Sequence, residues 1–199
     1  GTGKTTLAGW IRSHSPYRVE ERDAHWPAVA CGQYNPETMR AEVFGYKRGS
    51  FTGALKDHEG LLVAAHKDTL FLDEVGDIGR DLQRLLIKAV EEKSYMRLGD
   101  DRQLTSDFRL ISATNLTHDK LRERLDPDFL DRISMLTLRL PPLREIPEEI
   151  PWLWETVFSQ ASHRAGSGRV RLPAGAHPAI VDELSRHPLP GTLTHLFRV

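Results

Sequence analysis

Cysteine is almost missing. Cys31 stands alone in 199 residues, so no disulfide can form within the chain and stability must come from a packed core. A lone thiol of this kind reads as a small buried side chain, which suits a reducing, cytoplasmic setting. Long apolar runs are missing too. None approaches the roughly 20 residues a membrane helix needs, and no basic-then-apolar leader opens the chain, so a soluble protein with no membrane partner is expected. Net charge is nearly absent: 27 Lys and Arg face 28 Asp and Glu, a formal −1. That balance does not suit a surface built to neutralise many phosphates, so duplex DNA is not an expected ligand of this segment. The nine histidines include no i, i+4 pair of the kind that holds zinc on a helix. What remains, 39% hydrophobic and 28% charged, is enough to bury the core of one large domain, or of one domain and a small second one.

The first residues carry chemistry. In GTGKTT, Gly1, Gly3, Lys4 and Thr5 match the second half of a phosphate-binding loop, and the helix-like LAGWIRSH follows. Glycines let backbone N–H groups close around phosphate oxygens, and the following helix points its positive end at the anion. Gly1, Thr2, Gly3, Lys4, Thr5 and Thr6 are therefore candidate nucleotide-binding residues, with Lys4 reaching the terminal phosphates and the Thr5 hydroxyl on Mg²⁺. The loop's opening glycine and the strand feeding it would lie upstream of residue 1.

A second signal is TLFLDEVGDI, an apolar β-like run at 69–72 ending in Asp73 and Glu74. A buried strand delivers its last residues to the rim of a parallel sheet, where such sheets bind ligands. Asp73 would then join the Mg²⁺ shell, and Glu74 would act as general base toward an attacking water. The competing reading is an acid pair at the N-terminus of the helix that follows.

Strand-like runs at 27–31, 69–72, 108–113 and 135–140 alternate with helix-like segments near 4–13, 37–43, 79–92, 117–124 and 147–164. This alternation predicts an α/β fold, a parallel sheet covered by helices. Leu82, Leu85, Leu86, Ala89 and Val90 form one apolar helix face toward it. Prolines 141, 142 and 147 break regularity, and the rest of the chain reads as helical, so a domain boundary is expected near 147–151. RAGSGR at 164–169 is linker-like. RLGDDRQLTSDFR at 97–109 reads as a solvated hairpin, and Trp152 and Trp154 read as packing residues rather than a stacking platform.

One stretch resists this scheme. GSFTGA, 49–54, places Phe51 and Thr52 between two glycines after the basic pair Lys47 and Arg48. A lone Phe in a Gly-rich turn normally tucks into the core, whereas a loop on a rigid scaffold can present it to a partner.

Taken in order, GTGKTT, EVFGYKRGSFTGA, TLFLDEVGDI, FRLISATN and DRISMLTLRLPPLRE resemble the AAA+ ATPase domain of bacterial enhancer-binding proteins, the sigma-54-dependent transcription activators, over nearly the whole chain. The resemblance implies a P-loop AAA+ core over 1–147 and a partial helical lid over 148–199. It implies ATP and Mg²⁺ as cofactors, a hexameric homo-oligomer, and sigma-54 and RNA polymerase as partners. DNA binding would belong to a separate domain outside this chain. Phe51 and Thr52 become sigma-54 contacts, Ser50 replaces the usual alanine, Asn115 is similar to the family's sensor, and Arg132 matches the second of two arginines that reach a neighbouring subunit. The 97–109 stretch becomes a second pore-side loop. Departures are equally specific: Asp126 stands where the first arginine is expected, Ala30 where an asparagine restrains the catalytic glutamate, Thr194 where a lid arginine contacts nucleotide, and Thr5 where glutamate is more usual. The function implied is ATP-driven remodelling of the sigma-54 holoenzyme; the alternative is a nucleotide-binding sigma-factor module without hydrolysis.

Overall fold

The computed structural model describes residues 3–164 and 176–186. Gly1, Thr2, Thr194 and the linker-like residues after Arg164 lie outside them. Contacts divide the chain into two compact units, Thr5–Thr137 and Leu138–Val199 together with Gly1–Lys4.

In the first unit the strand β2 (Thr69–Asp73) lies between β1 (Ala28–Ala30) and β5 (Arg109–Ser112), parallel to both. Thr69, Leu70, Phe71 and Leu72 are all buried. Both faces of the strand are thus covered, which is why this run is continuously apolar rather than alternating. Helix α4 (Arg80–Glu92) turns Leu82, Leu86 and Ala89 into the core, the face expected from its spacing. Gln83 is buried among them with both ends of its amide engaged: it donates to the Ile78 carbonyl at 2.8 Å and accepts the Asp126 N–H at 2.6 Å. Helix α1 (Lys4–Ser13) buries Ala8 and Arg12.

Local signals set the other boundaries. Helix α2 (Pro36–Phe44) starts at Asn35, whose side chain accepts the Thr38 N–H, with Pro36 at the first helical position. It stops at Gly45, with φ 77°, where a Cβ would stand 2.4 Å from the His58 carbonyl oxygen. A single turn, α3 (Leu61–Ala64), precedes β2. A hairpin forms, but earlier than the expected 97–109: β3 (Ser94–Met96), with Ser94 and Tyr95 buried, pairs antiparallel with β4 (Gln103–Thr105), and only the turn and β4 fall within that stretch. Helices α5 (His118–Arg124) and α6 (Pro127–Ile133) are capped by the Thr117 and Asp126 side chains.

One expected strand is not there. Residues 135–140 are irregular, and Met135, Leu136 and Leu138 are 81%, 79% and 60% exposed. An apolar run becomes a strand only where a neighbouring edge accepts its backbone hydrogen bonds, and no described strand pairs with this one.

In the second unit, α7 (Ile150–Arg164) packs with α8 (Ala176–Arg186) around Leu143, Ile150, Trp154, Val157 and Leu184. The helix expected from 147 begins three residues later, after a 3-10 turn at Pro147–Glu149. Trp154 is a packing residue as expected, its indole N–H meeting His177 Nδ1 at 2.9 Å; Trp152 is instead 62% exposed.

Candidate nucleotide site and partner loop

β2 ends at Asp73, and the next residue leaves the strand sharply. Glu74 adopts φ 55° and ψ 43°, a left-handed conformation that costs a residue with a Cβ roughly 1–2 kcal/mol. The Asp73 carboxylate accepts the Glu74 N–H at 3.0 Å, and Val75 N–H is held by the Ala113 carbonyl at 2.9 Å. The surrounding sheet therefore holds the turn. α4 starts at Arg80 with Gly79 as its cap, so Asp73 and Glu74 belong to the strand end and are not the helix's N-terminal acids.

The turn folds two carboxylates over a glycine. A Cβ added at Gly32 would stand 2.8 Å from Glu74 Oε2 and 3.0 Å from Asp77 Oδ2. Asp77 is in turn bonded by Arg124 of α5 at 2.7 Å. With Ala30 in place of the asparagine, Glu74 is expected to lack that restraint; its carboxylate lies instead over Gly32, beside Asp77. Burial pushes the Cys31 thiol up to about 12, and the negative charges of Asp73, Asp77 and Glu74 add to the effect. The three carboxylates thus disfavour a thiolate at Cys31.

β5 ends beside β2, with Ser112 opposite Leu72. The two parallel strands deliver Asp73, Glu74, Thr114 and Asn115 to the same sheet edge, and Asn115 is exposed there. The Thr114 hydroxyl accepts the Leu116 N–H at 3.0 Å, which fixes the turn that carries Asn115.

Thr5 and Thr6 lie exposed in the first turn of α1, after Gly3 at φ 85°. Lys4 has no ion-pair partner among the described residues. No three His, Cys, Asp or Glu side chains among the described residues are grouped to hold a metal unaided. Mg²⁺ does not need such a group: it is typically held by one or two protein oxygens, with phosphate and water completing the shell. A hydroxyl at Thr5 and a carboxylate at Asp73 with only one oxygen engaged fit that donor set.

The inter-subunit candidates are tied within the chain. Arg132 Nη2 meets Glu91 Oε1 at 2.6 Å, so reaching another subunit requires that pair to open. Asp126 accepts the Asp128 N–H as the cap of α6.

The GSFTGA loop is anchored at its base and open at its tip. Tyr46 and His58 exchange two backbone bonds, Lys47 N–H donates to the Leu98 carbonyl, and Gly49 N–H donates to Ala54 O at 2.9 Å. Asp57 holds the Lys47 ammonium at 2.8 Å and the Arg48 N–H at 2.9 Å. Lys47 keeps Asp57 below the usual carboxylate range, helped by that N–H. Gly99, in the β3–β4 turn, passes so close that a Cβ would lie 2.6 Å from Ser50 Cβ; hairpin and loop therefore sit side by side. Phe51 is 45% exposed and rests edge-on against Tyr46, ring centroids 4.9 Å apart, while Thr52 and Gly53 are exposed. Phe51 is thus not a core residue. Tyr46, Gly99 and Gly32 were not singled out by the sequence, since nothing local marks a residue for what lies across from it.

The family model described as the sigma-54 interaction domain matches residues 1–139. The chain is 35% identical over 198 residues to the response regulator protein PilR of Pseudomonas aeruginosa, covering 98% of this chain and 43% of that protein. It is 33% identical over 201 residues to the sigma54-dependent transcriptional regulator SfnR of Pseudomonas fluorescens, covering 100% of this chain and 53% of that protein. It thus spans about half the length of these relatives. Among solved structures, NtrX from Brucella abortus in complex with ADP superposes with a TM-score of 0.80 at 27% identity, over 100% of this chain and 42% of that one. NtrX has also been solved with ATP. The AAA+ fold expected from the resemblance is the one shared with these structures.

Proposed function

Because the chain belongs to the sigma-54 interaction domain family, we propose that it is the ATP-driven motor of a transcription activator, which binds sigma-54 through GSFTGA and remodels the polymerase holoenzyme. One observation carries this reading: the exposed tip at Phe51 and Thr52 stands on a firmly tied base in the same unit as the carboxylate edge at Asp73 and Glu74. A motor needs both, a reacting centre and a surface that the centre can move.

The core would be 1–147 and the lid 148–199, with Gly1 to Thr6 around the phosphates and ATP bound with Mg²⁺. Bound Mg²⁺ would neutralise charge on the transferring phosphoryl group. Thr5 and Asp73 would supply oxygen ligands to the Mg²⁺ and Lys4 would neutralise the terminal phosphates; Asn115 would orient a water that bonds to the γ-phosphorus as the bond to the ADP oxygen breaks, with Glu74 taking the water's proton at its carboxylate. Subunits associate as a hexameric ring in which Arg132 exchanges Glu91 for a neighbour's phosphate. RNA polymerase is engaged through sigma-54, and DNA through another part of the full-length protein.

The test is capture of sigma-54 in the presence of a transition-state nucleotide analogue. The unaltered protein is expected to retain sigma-54, Thr52→Ala to lose it while still binding nucleotide, and Lys4→Ala to lose both. Capture by Thr52→Ala at unaltered affinity refutes the partner assignment.

A second reading, a non-hydrolysing module, is favoured by the capping role of Asp126 and the internal pairing of Arg132. Phosphate release that rises per subunit with protein concentration supports the motor; nucleotide binding without release at any concentration supports the module.

A further inference from the structure

Arg12 is 3% exposed and Asp68 is fully buried, 56 residues apart in sequence. Their contact is bidentate: Arg12 Nε donates to Asp68 Oδ1 at 2.7 Å and Nη2 to Oδ2 at 2.8 Å. Two further guanidinium donors are engaged, Nη1 on Asp23 Oδ1 at 2.7 Å and Nη2 on the Val19 carbonyl at 2.9 Å. The guanidinium carbon lies 5.7 Å from the centre of the Trp26 ring, and Trp26 stacks on Phe71 of β2. Asp68 also accepts the Thr69 N–H at 2.7 Å. The bond to Asp68 raises the Arg12 pKa against the cost of its burial. Burial pushes Asp68 upward, but the bonds from Arg12 and Thr69 outweigh it and leave the carboxylate below its ordinary range.

A planar fork engaged on both prongs fixes direction as well as distance. Here it joins α1 to Asp68, the residue immediately before β2. Thr5 precedes Arg12 by seven residues, which on a helix of 100° per residue returns it to the same face within about 20°, roughly 10 Å along the axis. Ala8 lies on that stripe and is buried; Thr5 is its exposed end. The rotation of α1 that satisfies Arg12 is therefore the rotation that aims the Thr5 hydroxyl. On the other partner, Asp68 leads straight into the strand that ends in Asp73.

We propose that Arg12 and Asp68 are positioning residues for the metal of the nucleotide site: their buried fork sets the azimuth of α1 against β2, and so the mutual placement of the Thr5 and Asp73 oxygens. The inference rests on the nucleotide-binding reading above. It predicts a defect centred on the metal-loaded nucleotide, because turning α1 about its own axis swings the Thr5 side chain while the axis, whose positive end faces the phosphates, keeps its direction.

The experiment is ADP affinity by calorimetry, with Mg²⁺ and in EDTA, for the unaltered protein, Arg12→Lys, Asp68→Asn, and Leu86→Ala as a destabilised control whose side chain lies in the α4 core. Lysine keeps the charge and loses the fork. Arg12→Lys and Asp68→Asn are expected to lower affinity about tenfold in Mg²⁺ and less than twofold in EDTA, with a matching rise in the Mg²⁺ concentration at half-saturation. Leu86→Ala is expected to lower the melting temperature without separating the two conditions. Folded Arg12→Lys or Asp68→Asn protein with unaltered Mg²⁺-dependent affinity, or with equal losses in both conditions, overturns the proposal, as does failure of both variants to fold. If the unaltered protein binds no ADP in either condition, the nucleotide reading itself falls.

Discussion

The end of β2 and the GSFTGA loop are both turns that carry candidate functional residues, and they are built in opposite ways. At β2 the four residues before Asp73 are buried, Glu74 is held left-handed, and the carboxylates press on Gly32. Around GSFTGA only the base is tied, by Asp57, Leu98 and the Tyr46–His58 pair, while Phe51, Thr52 and Gly53 face outward. A reacting group needs a fixed place, because misplacement by about 1 Å can cost a hundredfold in rate. A contact that must leave the body of the protein to meet a partner needs a fixed origin and a free end. Within one unit the structure holds a fixed turn and a loop with a tied base and an open tip.

The contrast is tested most strongly by chemistry. Glu74→Gln preserves shape and is expected to reduce ATP turnover about a thousandfold while nucleotide affinity stays within about threefold. Comparable turnover in the variant would remove Glu74 from the base role and leave its strained turn without a function. Next in size is the packing difference. Leu72→Ala, at a fully buried strand position, is expected to cost about 3 kcal/mol in urea unfolding, whereas Phe51→Ala should cost about 1 kcal/mol, mostly the edge contact with Tyr46. Equal costs would mean that the loop is part of the core. Thr52→Ala should change stability by less than about 0.5 kcal/mol, since its tip is exposed.

The smallest effect is electrostatic and lies outside both turns. Lys67 and then Lys93 hold the Asp107 carboxylate down at about 2. Its contribution to stability is complete above the ordinary carboxylate pKa of about 4 and fades as pH falls toward 2. Asp107→Asn should therefore flatten the melting-temperature profile between about pH 4 and pH 2 and leave the relative order of Leu72→Ala and Phe51→Ala unchanged. A profile identical to that of the unaltered protein would mean the two exposed lysines contribute nothing.

Much of this was legible from the chain. The continuous run from Thr69 to Leu72 marks a doubly covered strand, and the acids after it mark the sheet edge. The α4 face follows from spacing alone. By contrast, 135–140 has the composition of a strand and is not one, because pairing depends on an edge that composition does not report. The neighbours of Glu74 are not legible in the chain for the same reason. Ala30 was visible through the resemblance, but Gly32 and Asp77 matter through a backbone turn that only the folded chain makes.

By itself, then, the sequence determined which segments are candidates for the chemistry: the lysine and threonines after the glycine loop, the acid pair after its strand, and the glycine-bounded aromatic tip. Those signals are local, written in backbone conformational preference and in side-chain period over a few residues. Tertiary structure alone decided which of them meet. It brought Asn115 and Glu74 to the same sheet edge by strand order, folded Glu74 over Gly32, seated Ser50 against Gly99, and closed a buried fork between Arg12 and Asp68. Such meetings depend on how distant, individually unremarkable residues are packed together, and packing free energy is a property of the assembled core rather than of any stretch of chain.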